Sequence, residues 1–394
     1  MYSLPHKRND GPMDIPTLTD IPSLTDIPSL TDIDDQMDYA DLSDDMLDWY
    51  DANARILPWR ISPVESQGGI KAIPYHIWLS EIMLQQTTVQ TVIPYFQKFL
   101  HKWPRVEDLA AAELDQVLTA WAGLGYYARA RNLHKCALYV RDELGGIFPD
   151  TEEELLKLPG IGAYTAAAIA SIAFERPATV VDGNVERVIS RLFNIKTPLP
   201  DAKAEIKQMA RKITPRHRPG DYAQAVMDLG ATVCTPKILK CSGRCPWEKA
   251  CLSKKEGTAE QLPLRRSKGA KPTRRGYAFW GEYEGFVWLR RRPEEGLLGG
   301  MMEIPSTPWQ ETKNWAEVPA PQVPIITNWK EMQGLVRHSF THFHLELKVI
   351  KLDFAEKIDH QEGDWFPLAR LEDFALPTVM TKIVDHVREP VLDL

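Results

Sequence analysis

The sequence predicts a multidomain protein in which an all-α domain is followed by a smaller α+β domain, with an acidic tail in front. Three observations carry this reading. From about Asp45 to Leu252 apolar residues recur at three-and-four spacing, interrupted by Gly or Pro breaks such as Trp103-Pro104 and Gly145-Gly146. After Arg275 the pattern changes to short β-rich runs, Tyr277 to Arg290 and Leu345 to Leu352, separated by turn-rich stretches. Before Asp45 the chain is acidic and repetitive. At 394 residues and 44% hydrophobic, the chain is long enough to bury two cores.

Residues 1–44 contain the repeat IPTLTD IPSLTD IPSLTD, too rich in Pro for a helix and kept solvated by Asp, so a disordered acidic tail with no catalytic role is expected. Residues 45–252 form the helical domain. Residues 253–275 (SKKEGTAEQLPLRRSKGAKPTRR) are polar and basic and read as a connector. Residues 276–394 form the α+β domain, with a final helix expected near Thr378 to Arg388.

Charge is distributed unevenly. Residues 1–48 hold twelve aspartates against Lys7 and Arg8, a balance of −10, which leaves +3 on the rest of a chain whose formal charge is −7. An acidic chain can therefore carry a mildly basic body, and net charge neither supports nor excludes DNA. No apolar run approaches the ~18 residues of a membrane span, and the N-terminus lacks a signal-peptide pattern. A soluble intracellular monomer is expected.

The strongest local signal is EELLKLPGIGAYTAAAIASIAF, in which an apolar segment meets Pro159-Gly160-Ile161-Gly162 and an Ala-rich helix begins near Tyr164. This has the form of a helix-hairpin-helix. Gly160 and Gly162 let backbone approach a phosphate, and the second helix offers unpaired N–H groups and a positive dipole end. The plain alternative is an ordinary helix end followed by another helix. Twenty residues on, Asp182 in Val181-Asp182-Gly183-Asn184-Val185 stands at the entrance of an amphipathic run. It reads either as a good N-cap or as a carboxylate kept ionised to face developing cationic charge. Upstream, Trp78 to Thr87 is an apolar helix bearing Glu81. A surface carboxylate is the ordinary reading; a partly buried one would have a raised pKa and could donate a proton near neutral pH.

Four of the five cysteines, Cys234, Cys241, Cys245 and Cys251, fall in one short segment, unlike a disulfide framework and suited to a metal site. Such thiolates could hold zinc or a four-iron four-sulfur cluster.

Together with AWAGLGYYARARNLHKCA from Ala120 to Ala137, these stretches resemble the adenine DNA glycosylases of the MutY family, helix-hairpin-helix glycosylases, over roughly residues 45 to 390. The resemblance implies base flipping from double-stranded DNA and hydrolysis of the glycosidic bond of adenine mispaired with 8-oxoguanine or guanine. It implies Glu81 as general acid at adenine N7 and Asp182 as the carboxylate that stabilises, or bonds to, the oxocarbenium ion, with Tyr164 and Asn184 in support. Arg55, Leu57, Trp59, Val89 and Asp228 match walls of the adenine pocket; Gln86 and Tyr126 match residues that wedge into the duplex. Core packing is the ordinary fate of such aromatics.

The resemblance favours a 4Fe-4S cluster on the four cysteines, although their spacing of six, three and five intervening residues departs from the family's six, two and five. Gly243 could absorb the extra residue as a bulge. It also implies a Nudix-like C-terminal domain that reads 8-oxoguanine, in which Phe340-Thr341-His342 stands where the family has Phe-Ser-His. Leu297 to Pro305 matches the start of a Nudix motif, but no Arg-Glu-x-x-Glu-Glu cluster follows to hold magnesium. Two rivals are an endonuclease III-like glycosylase with lyase activity, disfavoured because Tyr164 replaces the lysine nucleophile, and a catalytically idle mismatch-binding protein, disfavoured because both carboxylates are present.

Overall fold

Helix α1 (Tyr39–Asn53) begins the helical domain earlier than the expected boundary at residue 45, because Leu42, Met46, Leu47 and Tyr50 line up as one buried face. The structure is a computed structural model and describes residues 39–388 apart from 267–268, 294–295, 322–327, 358–362 and 375. The repeat expected to be a disordered tail lies outside the described residues, whereas residues 39–44 of that expected segment are helical.

The longer helices that follow are α2 (Pro74–Leu84), α3 (Val89–Lys102), α4 (Leu114–Trp121), α5 (Ala128–Leu144), α6 (Ala163–Phe174), α7 (Gly183–Leu192), α8 (Lys203–Lys212) and α9 (Pro219–Thr232). They enclose two cores. One is built by α2 to α6 around Trp78, Phe96, Phe99 and Trp121, the other by α1, α7, α8 and α9 around Tyr50, Ile189, Ile206 and Trp247. Helix α2 is apolar nearly all round and buries Tyr75 and then every residue from Ile77 to Met83, so it runs through the interior. Helix α6 is rich in Ala, which lets it lie between α2 and α9 at close range. Helix α7 buries Val185, Val188, Ile189 and Leu192 on one face, as its periodicity predicts, but Arg187, Ser190 and Arg191 are buried as well.

The expected free connector is partly structured. Ala259 and Leu262 are buried, Leu199 N–H donates to the Leu264 carbonyl, and the first strand already starts at Thr273. Arg191 Nε also donates to the Leu262 carbonyl at 3.0 Å, so this stretch is tied to the helical domain, which a reading by overall polarity overlooks.

The C-terminal domain is a mixed sheet. Strands β1 (Thr273–Tyr283), β2 (Phe286–Arg291), β3 (Met302–Glu303), β4 (Gln310–Glu311), β5 (Asn328–Glu331), β6 (Val336–Ser339), β7 (His344–Asp353) and β8 (Asp364–Pro367) run in the order β3-β2-β1-β7-β5, with β4, β6 and β8 attached to β1, β7 and β2. The long central pair β1 and β7 is parallel, in register from Thr273 opposite His344 to Glu282 opposite Asp353. Helix α10 (Thr378–Arg388) packs Val379, Met380, Ile383 and Val384 against the sheet.

The two domains interlock. Met301, fully buried, sits in the core of the helical domain, and Leu298 packs beside it. Arg131 donates to the Gly299 carbonyl, and Arg291 pairs with Asp115 at 2.9 Å.

Candidate active site

Four helices bring their polar residues to one cavity of about 780 Å³. Helix α2 contributes Glu81, α6 Tyr164, the entrance of α7 Asp182 and Asn184, and α9 Asp228. Gly160, Gly162, Arg55, Leu57, Trp59, Gln86 and Val89 also line it, so residues spread over 174 positions of sequence share one space.

Glu81 is 5% exposed, although it is ionisable, because α2 is embedded in the core. Burial pushes its carboxyl up to about 7, against the opposing effect of the Tyr164 hydroxyl, which donates to Glu81 Oε2 at 2.6 Å. A carboxyl in this range is protonated in a substantial fraction of molecules at neutral pH, which is what a general acid needs. Tyr164 itself is held well above 10 by burial and by the facing carboxylates, so it stays a neutral donor.

Asp182 caps α7. Its Oδ1 accepts from the backbone N–H of Val185 at 2.7 Å and of Asn184 at 2.9 Å, and Oδ2 accepts from Asn184 Nδ2 at 2.9 Å. Burial pushes its pKa up from 3.8, while these donors, Val185 first, hold it down. The N-cap reading and the functional one are thus compatible: the same N–H groups that end the helix favour the charged form. Asn184 is fixed in turn by Arg187 Nη2, which donates to its Oδ1 at 2.9 Å, and Arg187 also donates to the carbonyls of Gly230 and Cys234.

The far wall is built on Asp228, whose side chain is fully buried. Its Oδ2 accepts from Arg60 Nη1 at 2.7 Å and from the Arg55 N–H at 3.0 Å, while Oδ1 has only the looser contact with Arg55 Nε at 3.4 Å. Trp59 meets Phe96 edge-on at 5.3 Å.

At the hairpin, Gly160 has φ +75°, and a methyl there would sit 2.6 Å from Asn132 Cβ, so only glycine fits. Gly162 precedes α6 without a side-chain cap, and a methyl on it would meet open space. The first-turn amides of α6 are left for an outside acceptor.

Residues 79–228 match the family model of the HhH-GPD superfamily base excision DNA repair proteins, and residues 277–386 match that of the NUDIX domain. The adenine DNA glycosylase of Buchnera aphidicola subsp. Acyrthosiphon pisum (strain APS) is 34% identical over 353 residues, which cover 88% of this chain and 97% of the relative. That of Homo sapiens is 37% identical, covering 78% of this chain and 66% of the relative. The chain belongs to the adenine DNA glycosylase family. It is a base-excision-repair glycosylase, a hydrolase of N-glycosyl bonds. Among solved structures, a thermostable thymine-DNA glycosylase is 28% identical with a TM-score of 0.48, covering 55% of this chain and 95% of that one.

A second group of this adenine DNA glycosylase family member lies at the domain junction, outside the cavity except for Gln86. Tyr126 and Thr341 exchange a hydrogen bond at 2.8 Å between their hydroxyls. Phe340 stacks on Phe343 at 4.7 Å, while Thr341 and His342 are exposed at the tip of the turn between β6 and β7. Gln86 and Tyr126 both have left-handed backbones, with φ +57° and +50°.

The four cysteines border one small pocket, roofed by Val188, Leu192, Leu229 and Trp247, with Arg191 Nη1 donating to Cys234 Sγ at 3.3 Å. Gly243 takes φ +69° and donates to Glu248 Oε2 at 2.9 Å, so the extra residue is accommodated at a glycine turn. Among the described residues no three of these ligand types come close enough to share a single ion.

Sequence reading missed Arg60, Arg129 and Arg187. Each has at least one partner far along the chain: Arg60 meets Asp228 across 168 positions, and Arg129 and Arg187 reach the carbonyls of Ile82 and Cys234 across 47 each. Position in sequence gave no signal of their burial.

Proposed function

We propose that this glycosylase extrudes adenine from double-stranded DNA in which it faces 8-oxoguanine or guanine, and hydrolyses its glycosidic bond. The observation that carries the reading is the pair of carboxylates in contrasting settings on one cavity. Glu81 has burial and a single tyrosine donor, and is pushed to about 7; Asp182 has three N–H donors that favour its charge. Burial raises both carboxyls, but one donor at Glu81 against three at Asp182 is a contrast suited to an acid and an anion. Glu81 would protonate the leaving base at N7, while Asp182 stabilises the oxocarbenium ion at the sugar. Tyr164 holds Glu81, and Asn184 holds Asp182.

Stacking and edge contacts for a flipped base would come from Leu57, Trp59, Val89, Arg55 and Asp228. The hairpin at Gly160 and Gly162 would take a backbone phosphate, Gln86 and Tyr126 would enter the duplex, and Phe340, Thr341 and His342 would read the opposite base. With Tyr164 where a lyase has lysine, no imine forms, and water is the final nucleophile. The setting of this work would be intracellular, as a monomer on DNA.

Cys234, Cys241, Cys245 and Cys251 would hold a 4Fe-4S cluster. All four thiols line one small pocket, and Arg191 Nη1 donates to Cys234 Sγ at 3.3 Å, a setting that suits thiolate ligands of such a group. Bound there, the group would cross-link the loop between Cys234 and Cys251 rigidly. Iron and sulfide analysis of anaerobically purified protein tests this.

The catalytic reading is tested with Glu81→Gln and Asp182→Asn on duplexes carrying adenine opposite 8-oxoguanine. Equilibrium binding should persist in both. Single-turnover cleavage should fall about a hundredfold or more for Glu81→Gln and by about 3 kcal/mol of barrier for Asp182→Asn. Cleavage near the parent rate, or a loss that follows binding alone, would remove the assignment of that residue.

A further inference from the structure

The two residues proposed to enter the duplex sit on different segments, 40 positions apart, and share an uncommon backbone state: Gln86 at φ +57° and Tyr126 at φ +50°. Side chains other than glycine rarely adopt this region, and they stay there only where surrounding contacts hold them. One side chain touches the surroundings of both. Arg129, in the first turn of α5, donates from Nη1 to the carbonyls of Ile82 at 2.9 Å and Met83 at 3.0 Å. From Nη2 it donates to Thr87 Oγ1 at 3.3 Å and to the carbonyls of Leu124 at 3.0 Å and Gly125 at 3.1 Å. Its guanidinium lies 5.2 Å from the Trp121 ring centre and 5.7 Å from that of Tyr126.

These acceptors have a pattern. Ile82 and Met83 lie in the last turn of α2, where carbonyls have no partner inside the helix, and they directly follow Glu81. Thr87 follows Gln86, and Leu124 and Gly125 precede Tyr126. All are neutral oxygens, and among the described residues no carboxylate pairs with Arg129. Burial lowers its pKa to about 10, which still leaves it a cation at neutral pH. A half-buried cation whose two Nη groups bond four carbonyls and the Thr87 hydroxyl on two segments acts as a clip between them. The planar fork of arginine can reach both at once, whereas lysine offers a single point charge.

We propose that Arg129 is the positioning residue that holds Gln86 and Tyr126 in fixed relation to each other and to the helix bearing Glu81, so that opening of the duplex delivers the extruded base in register with the acid. This rests on the reading of Gln86 and Tyr126 as duplex-entering residues. Arg129 touches neither base nor sugar in that scheme; it acts through the two loops.

The test uses the full chain and duplexes with adenine opposite 8-oxoguanine, with 2-aminopurine beside the target adenine to report extrusion in stopped-flow fluorescence. Arg129→Met keeps the stem and removes the fork; Arg129→Lys keeps the charge. Both variants are first matched to the parent by thermal unfolding and circular dichroism. Extrusion should slow about a hundredfold in Arg129→Met and less in Arg129→Lys, with single-turnover cleavage falling by the same factor. The alkaline limb of the pH–rate profile, which reports Glu81, should not move.

The decisive readout is coupling. In a Gln86→Ala/Tyr126→Ala background, Arg129→Met should cost almost nothing further, because the loops it acts through have lost their function. A full additive loss in that background means a merely structural role and overturns the proposal, as does normal extrusion in folded Arg129→Met. Should Arg129→Met fail to fold, Arg129→Lys in both backgrounds carries the same cycle. If instead Gln86→Ala/Tyr126→Ala alone extrudes and cleaves like the parent, the underlying reading of those two residues has failed, and this inference with it.

Discussion

Replacing Tyr164 with Phe should move the alkaline limit of catalysis upward. In the parent the Tyr164 hydroxyl donates to Glu81 Oε2 at 2.6 Å, and this bond favours the ionised carboxylate while burial favours the neutral acid, the balance lying at about 7. A hydrogen bond to a charged group is worth about 1.5–3 kcal/mol, and one pKa unit is about 1.4 kcal/mol. Loss of the hydroxyl therefore raises Glu81 by about one to two units, and water entering the vacated space brings this to the lower end. The sign follows from the role: Glu81 acts while protonated, so a higher pKa extends activity to higher pH. With Glu81 near 7 in the parent and about 8 in the variant, the protonated fraction at pH 8 rises from about one tenth to about one half. At pH 6 both are almost fully protonated. The ratio of variant to parent single-turnover rate should thus increase about fivefold between pH 6 and pH 8, whatever the plateau rates are. Glu81→Gln serves as control and should have no such limb. A ratio that stays flat or falls with pH would refute the assignment of the limb to Glu81.

The two hairpin glycines should separate stability from DNA binding. Gly160→Ala combines φ +75° with a 2.6 Å approach to Asn132 Cβ and should lower unfolding stability by about 1–3 kcal/mol in a denaturant titration. Gly162→Ala meets nothing in the protein and should unfold like the parent yet bind duplex DNA more weakly; equal affinity would show that no phosphate approaches there. Because Tyr164 cannot form an imine, borohydride treatment during turnover should trap no covalent enzyme–DNA adduct, and recovery of one from unaltered protein would contradict monofunctional hydrolysis. Deleting residues 1–38, which stops short of α1, should leave single-turnover excision nearly unchanged; a large loss of rate in a folded truncation would assign the repeat a part in catalysis.

Much of the site was legible because its signals are local. The hairpin Pro159-Gly160-Ile161-Gly162 and the cap at Asp182 depend on residues three or four positions apart, and such bonds form wherever that short stretch folds. The β-rich run Leu345 to Leu352 and the periodicity of α7 likewise placed those elements. The start of α1 inside the expected tail was harder, since Tyr39 to Asp48 is acidic and only its packing on α9 reveals a buried face.

What the sequence by itself determined is therefore the order of domains, the chemical types gathered at the site and the four-cysteine segment. Tertiary structure alone decided how those groups behave. Glu81 is an acid near neutral pH because α2 is surrounded, and no property of the letters around it measures that burial. Arg60, Arg129 and Arg187 look like any surface arginine until Asp228, the carbonyls of Ile82 and Met83, and the carbonyls of Gly230 and Cys234 close around them. Contact between Tyr126 and Thr341, 215 positions apart, exists because Met301 anchors one domain in the core of the other. Partners at such separations are set by the packing of whole elements, and the desolvation that gives each charge its character is a property of that packing.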